Sequence, residues 1–304
     1  MHHSSQSTRP TLALLIVLSW VLAAWLPSAT VSANEPAPPA TAAMSMPHDH
    51  PGPRPQPRTA AEVNAVLAGA PSSAEKARPL RILLLAGPKD HGIGEHDYPT
   101  WQNVWASLLG EAKNVKVSKA WIWPKVDELK DIDVMVIHQH GEWNDQRAAD
   151  TDAFLKRGGG IVYIHWSLDG REHGQDFAQR IGLAKANPIA YRHGPLTLAF
   201  NRSTNHPIAR NFDKLNLVDE AYWKLSGTLP ASRVLASSTE DGAPQPQLWT
   251  TEPNGGRVFV CIPGHYSWTL DDPLYRLLVF RGIAWTAHEP VDRFNDIIWL
   301  GADH

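Results

Sequence analysis

The chain has 304 residues, a formal net charge of −3 and a single cysteine, Cys261. This near-neutral charge argues against a nucleic-acid-binding surface, and one cysteine cannot form an intramolecular disulfide. Thirteen tryptophans are an unusual content, and any that lie beside a polar site can stack on sugar rings.

The N-terminus has the pattern of a secretory signal peptide over residues 1–33. Arg9 precedes an apolar stretch over residues 11–26, and small residues lead up to Ala33. The apolar stretch is shorter than the roughly 20 residues that a membrane span needs, so an uncleaved anchor is the less favoured alternative. We expect cleavage near Ala33 and an exported protein, periplasmic or extracellular, without a stable membrane anchor.

Residues 34–78 are rich in proline and alanine, which predicts an extended linker. One short helix is expected near residues 60–68, because Thr59 and Glu62 form a capping box ahead of apolar residues at helical spacing. The globular domain is predicted to span residues 79–304, which is long enough for one large core.

The first half of the globular domain alternates apolar strands with amphipathic helices. The predicted helices begin near Asp97 and Asn144, and the predicted strands lie at 81–86, 115–117, 133–137 and 161–165. Such alternation predicts right-handed crossovers between parallel strands that helices cover on both faces.

After Tyr191 the pattern changes to short alternating segments, which predict an antiparallel extension on one edge of the sheet. These segments lie near 196–200, 215–225, 233–237 and 247–250. A strand at 257–262 then returns to the parallel sheet, and a last helix starts at Pro273. The fold class expected is α/β, with a mostly parallel sheet and an antiparallel edge extension.

Histidines follow the carboxyl ends of four predicted core strands. In chain order they are His91 and His96, His138 and His140, His165, and His265. Ligands of open α/β sheets bind beyond the carboxyl ends of the strands, so these imidazoles should meet in one polar site. We predict a divalent metal held by His91, His96, His165 and His265, with zinc favoured because histidines dominate the set.

The loop at residues 87–99 is dense in glycine, histidine and acidic residues. Its carboxylates would repel a phosphate and no Walker lysine pattern is present, so no nucleotide cofactor is expected. A cation or a polyhydroxylated ligand fits better, which makes Asp90, Glu95, Asp97 and Tyr98 candidate substrate-binding residues. The alternative is an ordinary polar loop in which Asp97 caps the next helix.

His165 occupies the position at which α/β enzymes place a nucleophile elbow. Ser167 lies two residues further on without the G-x-S-x-G frame, which argues against acyl transfer through a covalent intermediate. A neutral imidazole can bind a metal or transfer a proton, so we predict that His165 and His91 are catalytic. The alternative is a buried, hydrogen-bonded histidine. Cys261 lies within an apolar strand and is expected to be an inert core thiol.

Asp219 and Glu220 are adjacent in a predicted strand, so their carboxylates face opposite sides. We predict both as catalytic candidates and favour Glu220 for the site, on the same side as Tyr222. A surface acid at a strand edge is the alternative. Tyr222, Trp166 and Trp268 are the predicted aromatic residues of a sugar-binding site.

Several short motifs are distributed along the globular domain. They are Gly87-Pro-Lys-Asp-His-Gly-x-Gly-Glu-His-Asp-Tyr-Pro99, Gly158-Gly-Gly-x-Val-x-x-His165, His206-Pro-Ile208, Asp219-Glu-x-Tyr222, Gly256-Arg-Val-Phe259, Gly264-His265 and Arg281-Gly-x-x-Trp285. Over about residues 79–289 this pattern resembles the trehalose-utilisation (ThuA-like) domain family. The resemblance implies a flavodoxin-like, doubly wound fold related to the class I glutamine amidotransferases, without their cysteine–histidine–glutamate triad. It also implies a role in carbohydrate metabolism, including that of oxidised (keto) disaccharides.

Two functions follow from these patterns. The first is an exported enzyme that acts on a sugar or keto-glycoside through a histidine and carboxylate site, as an isomerase, lyase or hydrolase. The second is a non-catalytic carbohydrate-binding or scaffold domain. A hydrolase that uses Ser167 or Cys261 is the least favoured reading. The expected partner is a small carbohydrate and not a nucleic acid, and the sequence predicts no oligomeric state.

Overall fold

The computed structural model describes residues 53–70 and 77–302. The predicted signal peptide and residues 34–52 and 71–76 of the predicted linker lie outside the described residues. In the described ranges the α-helices are α1 (Ala60–Leu67), α2 (Tyr98–Gly110), α3 (Asp145–Lys156), α4 (Gly174–Ile181), α5 (Ser267–Asp271) and α6 (Pro273–Thr286). Of these, none is both long enough and apolar enough to cross a bilayer.

The strands form one large sheet and one small two-stranded sheet. They are β1 (Leu80–Ala86), β2 (Val115–Trp121), β3 (Val134–His138), β4 (Gly160–Ile164), β5 (Leu183–Ala184), β6 (Ala190–Phe200), β7 (Lys214–Trp223), β8 (Ser226–Gly227), β9 (Val234–Glu240), β10 (Ala243–Thr251) and β11 (Arg257–Cys261). The large sheet has the order β2-β1-β3-β4-β11-β10-β9-β6-β7, and β5 pairs with β8.

One side of the large sheet is parallel. Its strands β2, β1, β3, β4 and β11 pair in register with the same direction, which is the 2-1-3-4-5 order of flavodoxin-like sheets. Alternate residues of β1 enter two separate cores: Ile82 packs with the residues of α2 and α6, and Leu83 packs with those of α3 and α4. Because helices cover both faces, β3 and β4 are buried along their whole length. The predicted α/β fold class is confirmed.

Beyond β11 the sheet continues as the antiparallel strands β10, β9, β6 and β7, as the alternating segments predicted. The long β6–β7 ladder pairs Tyr191 with Tyr222 and His193 with Glu220. Side chains of directly opposed residues share one face of a sheet. All four side chains therefore lie on one face, and β7 brings Glu220 to the carboxyl edge of the parallel strands.

Helix α1, which the sequence analysis assigned to the linker, packs against the domain. The predicted capping box at Thr59 is present, and the side chains of Val63 and Val66 are buried in the core. Arg281 on α6 donates a hydrogen bond of 3.3 Å to the carbonyl of Val66. The folded part of the chain thus includes this helix, because its apolar face is covered by α6 and its neighbours.

We expect Gly282→Ala to destabilise the protein by about 1–3 kcal/mol, the usual cost of overpacking a core. A Cβ at this helical position would lie 2.2 Å from Cδ1 of Phe259, which is fully buried. Gly110→Ala is the matched control, since nothing lies within 4 Å of a Cβ there and alanine favours helix. Urea denaturation measures both, and equal stabilities of the two variants would contradict the packing described.

Candidate functional site

Four side chains meet at the carboxyl edge of the parallel strands. His96 follows β1, His165 follows β4, His265 follows β11, and Glu220 comes from β7. Their ligand atoms all lie within 4.8 Å of one another, and no residue of the four is more than 5 % exposed. The structure therefore brings together three of the four predicted metal ligands and a predicted catalytic carboxylate. We call these residues the His/Glu cluster.

His165 lies at the centre of the His/Glu cluster. Its Nε2 atom is 2.8 Å from Nε2 of His96, 3.2 Å from Nδ1 of His265 and 3.3 Å from Oε2 of Glu220. The Glu220 oxygen is also 2.9 Å from Nδ1 of His265. One nitrogen of each imidazole and one carboxylate oxygen thus point at a common centre.

Hydrogen bonds outside the cluster fix the tautomers of two of these imidazoles. Nδ1 of His165 lies 2.8 Å from the carbonyl of Ile262, which can only accept a hydrogen bond, so this nitrogen carries the proton. Nδ1 of His96 lies 2.8 Å from Oδ1 of Asp90 and donates to that carboxylate. Both Nε2 atoms then present lone pairs to each other at 2.8 Å. A shared cation relieves that repulsion.

This donor set fits a divalent metal ion. In a tetrahedral zinc site, bonds of about 2.0–2.1 Å place ligand atoms about 3.3 Å apart. Four separations within the cluster, from 2.8 to 3.3 Å, are close to that value. The partner of each metal-ligating histidine on its other nitrogen is usually a carboxylate or a backbone carbonyl. Asp90 and Ile262 supply those two partners to His96 and His165.

Burial sets the protonation of the cluster. It lowers the pKa of His96 well below the usual value, although the hydrogen bond to Asp90 acts in the other direction. Burial also lowers the pKa of His265. For Glu220 burial acts to raise the pKa, but the neighbouring imidazoles of His165 and His265 outweigh it and lower the pKa well below the usual value. Neutral imidazoles beside an ionised carboxylate are the ligand forms that a metal requires.

The backbone at this site adopts uncommon conformations. His96 has a φ of 42° and His165 a φ of 55°, values that cost energy for residues other than glycine. Gly264, with a φ of 140°, allows the close approach of the His265 turn to β4, since a Cβ there would lie 2.8 Å from Cγ2 of Ile164. Strained residues that persist in a rigid scaffold are typical of functional sites.

Asp219 is buried beside the cluster and not within it. Its Oδ1 atom accepts hydrogen bonds from the backbone N–H groups of Glu220, Gly264 and His265, at 2.8, 3.0 and 3.1 Å. The carboxylate that the sequence suggested as a second catalytic group therefore holds the two segments that carry His265 and Glu220. As the alternation of β7 predicted, only Glu220 faces the cluster.

Asp90 links the cluster to a more exposed group of histidines. Oδ1 lies 2.8 Å from Nδ1 of both His91 and His96, and Oδ2 lies 3.1 Å from Nδ1 of His140. Burial acts to raise the pKa of Asp90, but the hydrogen bonds from His140, His91 and His96 lower it well below the usual range. His91, predicted as both catalytic and a metal ligand, thus lies beside the cluster with Asp90 as its partner, and not among the four converging ligands.

The remaining predicted residues of this loop occupy different environments. Glu95 accepts a hydrogen bond from the N–H of Gly92, and its Oε1 lies 4.0 Å from Nε2 of His265. Asp97 caps α2 by accepting from the N–H of Thr100, which was the alternative considered for it. Tyr98 is fully buried. The loop supplies His96 to the cluster and approaches it through Asp90 and Glu95, and its last residues cap the helix and pack in the core.

The three predicted aromatic residues of the sugar-binding site also occupy different environments. The hydroxyl of Tyr222 lies 2.9 Å from Nε2 of His165 and 3.0 Å from Oε2 of Glu220, so this side chain belongs to the cluster. Trp166 is partly exposed and its ring lies 5.3 Å from that of Tyr222. Trp268 instead stacks on Tyr266 at 4.3 Å and donates to a carbonyl of β7.

Three further histidines, none of them among the predicted metal ligands or catalytic residues, surround the site. His193 on β6 lies 3.6 Å from Oε1 of Glu220 and 2.8 Å from the hydroxyl of Tyr266. His138 is buried and donates to the carbonyl of Gly264. His140 lies between Asp90 and a second aspartate. The pairing of His193 with Glu220 in the β6–β7 ladder would have identified it, but the sequence does not define that register.

The residues considered for covalent catalysis are buried. Cys261 and Ser167 are 0 % and 3 % exposed, and burial raises the pKa of the Cys261 thiol. A thiol with a raised pKa is a poor nucleophile. The geometry offers metal binding and proton transfer at the His/Glu cluster, and it offers no support for an activated thiol at Cys261.

Comparison with known proteins agrees with this fold. The family model described as trehalose utilisation, ThuA, matches residues 88–286. A putative ThuA-like protein from Parabacteroides merdae superposes with a TM-score of 0.55 at 19 % identity, covering 69 % of this chain and 90 % of that one. One from Bacteroides uniformis gives a TM-score of 0.55 at 14 % identity, covering 73 % and 99 %. At these identities the superpositions show a shared fold alone. No curated protein matches the sequence significantly.

The fold and site are those of a flavodoxin-like α/β protein with a buried cluster of histidines and a glutamate. The chain belongs to the ThuA, or trehalose-utilisation, family. The resemblance identified from the sequence is therefore confirmed, and the family relates the protein in general terms to carbohydrate metabolism.

Asp219→Ala is expected to destabilise the protein strongly, because it leaves three buried N–H groups without their acceptor, at about 1–3 kcal/mol each. Asp219→Asn retains an oxygen at the same position and should keep most of the stability. Urea denaturation compares them, with Asp213→Ala as a control whose side chain is 65 % exposed. Equal losses in Asp219→Ala and Asp213→Ala would contradict the positioning role of Asp219.

Proposed function

We propose that the protein is an exported enzyme of carbohydrate metabolism that binds a divalent metal, zinc being favoured, at the His/Glu cluster and acts on a sugar or keto-glycoside. Export would use the signal peptide predicted at residues 1–33. The metal ligands would be His96, His165, His265 and Glu220. A bound divalent ion would polarise a carbonyl or hydroxyl oxygen of the substrate.

The proposal rests on the distance of 2.8 Å between Nε2 of His96 and Nε2 of His165. Each of these two nitrogens presents a lone pair to the other. A proton shared between the two rings is the alternative to a metal ion. Burial disfavours that form, because it lowers the pKa of His96 well below the usual value. A metal ion satisfies both nitrogens without leaving a buried imidazolium.

Tyr222 and Glu220 are placed to move a proton at this site. Burial and the charge of Glu220 raise the pKa of Tyr222 well above the usual value, so the phenol stays protonated and is a donor. Its hydroxyl lies within 3.0 Å of both His165 and Glu220. A donor beside an ionised carboxylate serves isomerisation, elimination or hydrolysis of a keto-glycoside.

The positions of the titratable groups favour an enzyme over a non-catalytic binding module. Buried groups with strongly shifted pKa values and strained backbone cluster at functional sites of enzymes. A binding module needs only exposed aromatic and polar contacts, and it does not need four ligand atoms sealed from solvent. The second candidate nevertheless has Trp166 in its favour, a partly exposed ring beside the site, so the experiments below separate the two.

Protein purified without an affinity tag is expected to contain about one equivalent of zinc, measured by inductively coupled plasma mass spectrometry. His165→Ala and Glu220→Gln each remove a ligand atom. Loss of outer-shell partners already costs about 10- to 100-fold in metal affinity, so these variants should lose more than that.

Two controls make the zinc measurement specific. His173→Ala removes a histidine whose side chain is 46 % exposed and lies 3.9 Å from Glu172, and it should leave the zinc content unchanged. Natural histidines outside the described residues can bind metal adventitiously, so all variants are made in a background that replaces them with glutamine: His2, His3, His48, His50 and His304. Undiminished zinc in His165→Ala would exclude the proposed ligand set.

Turnover of oxidised disaccharides is expected to require the cluster. A panel of keto-disaccharides is incubated with the protein, with and without a chelator, and products are followed by NMR. His165→Ala removes a metal ligand and should lower kcat/KM by more than the roughly 10- to 100-fold that loss of an outer-shell partner costs. If sugar binding instead survives in His165→Ala, fails in Trp166→Ala and no turnover occurs, the binding-module function is correct.

A further inference from the structure

His140 lies between two carboxylates at the carboxyl edge of the parallel strands. Its Nδ1 atom lies 3.1 Å from Oδ2 of Asp90, and its Nε2 atom lies 3.4 Å from Oδ2 of Asp169. An ionised carboxylate can only accept a hydrogen bond, and a neutral imidazole has one N–H group and one lone pair. A neutral His140 would therefore turn a lone pair toward one of the two anions. The geometry favours the imidazolium, in which both nitrogens carry protons.

The charges around His140 agree with this form. Both oxygens of Asp169 also accept hydrogen bonds from the Lys185 ammonium, at 2.9 and 3.0 Å. Burial acts to lower the pKa of His140, and the Arg171 guanidinium acts in the same direction, but the carboxylates of Asp169 and Asp90 outweigh both and raise it. Two carboxylates, one imidazolium and one ammonium leave this group of side chains without net charge.

The imidazolium joins the two loops that carry His96 and His165. Asp90 and His96 lie in the loop between β1 and α2, and Asp169 ends the short helical turn that begins at His165. These loops bring two Nε2 lone pairs within 2.8 Å of each other, a contact that repels without a cation. Ion pairs from one residue to both loops oppose that repulsion. The bridge thus holds two metal ligands close together before a metal binds.

Asp90 connects the bridge directly to a metal ligand. Its Oδ1 atom accepts a hydrogen bond of 2.8 Å from Nδ1 of His96, while its Oδ2 atom faces His140. A carboxylate partner fixes the orientation of a metal-ligating histidine, and His140 fixes that carboxylate. The ring of Trp166 lies 5.7 Å from the His140 ring. The His140 side chain is 39 % exposed, so it exchanges protons with solvent although the ligands themselves are buried.

We infer that His140 is a positioning residue for the metal site proposed at the His/Glu cluster. Its imidazolium bridges Asp90 and Asp169 and thereby holds the two loops in the geometry that binds the metal. The inference rests on the proposed function, because it concerns the affinity of that cluster for its ion. A histidine whose pKa is raised in the folded state carries its charge below that pKa and loses it as the pH rises through it. The bridge is therefore intact at low pH and absent at high pH.

The test compares the zinc affinity of the unmodified chain with that of His140→Gln, both full-length and in the glutamine background, by competition with a chromophoric chelator. Glutamine keeps a hydrogen-bond donor and carries no charge. At about pH 6 the variant should bind zinc about 3- to 10-fold more weakly. This loss is smaller than the roughly 10- to 100-fold cost of removing an outer-shell partner itself, because His140 acts on His96 only through Asp90.

The pH dependence separates the bridge from a merely structural role. Protonation of the ligands lowers zinc affinity in both chains alike, so the ratio of the two affinities reports on His140. By about pH 9 the unmodified chain has lost the same charge, and the ratio should approach one. His173→Ala, at a histidine whose side chain is 46 % exposed, should match the unmodified chain throughout.

A second measurement determines the charge of His140 without zinc. In a ¹⁵N NMR titration of the metal-free chain, both ring nitrogens of His140 should be protonated at about pH 6, with a pKa above the ordinary value of about 6.5. Asp169→Asn removes one of the two anions and should lower that pKa.

Three outcomes decide the inference. Equal or tighter zinc binding by His140→Gln at about pH 6 would overturn the bridge while leaving the proposed function intact. A neutral His140 ring at that pH would do the same. No zinc binding by the unmodified chain would overturn both the inference and the proposed function.

Discussion

The organisation of this protein depends on holding three imidazoles and a carboxylate together where water cannot separate them. His96 and His165 are within 2.8 Å of each other through nitrogens that both carry lone pairs, and this arrangement persists only because their other nitrogens are committed elsewhere. Asp90 and the carbonyl of Ile262 accept those protons, and Asp219 holds the backbone of His265 and Glu220. The surrounding hydrogen bonds therefore determine the chemistry of the centre.

The two parts of the sheet contribute different components of this centre. The parallel strands supply His96, His165 and His265 from loops that follow their carboxyl ends, in the crevice where open α/β sheets bind ligands. The antiparallel extension supplies Glu220 and, on the same face, Tyr222. The cluster is complete only when both parts of the sheet are paired. Its integrity is thus linked to the folding of the whole domain, and not to one local motif.

Sequence patterns were sufficient for the parallel core and for its histidines, because apolar runs bounded by polar loops mark strand ends directly. They were not sufficient for residues whose role depends on a distant partner. Asp97 and Asp90 belong to one acidic loop, yet the first caps α2 and the second binds three imidazoles. His193 was not among the predicted site residues, since its proximity to Glu220 follows from the register of a long ladder. Spacing along the chain cannot distinguish such cases.

By itself the sequence determined the ThuA family, the flavodoxin-like α/β class and the convergence of histidines at one edge of the sheet. The family and the flavodoxin-like class follow from the motifs that resemble the ThuA family. The α/β alternation follows from local periodicity, and the convergence of the histidines follows from the rule that parallel strands end at the same edge. Only the tertiary structure decided that His91 pairs with Asp90, that Asp219 supports the backbone, and that His140 lies between two aspartates. The reason is physical: hydrogen-bond partners and exposure depend on which distant segments pack together, and that information is absent from any single stretch of sequence.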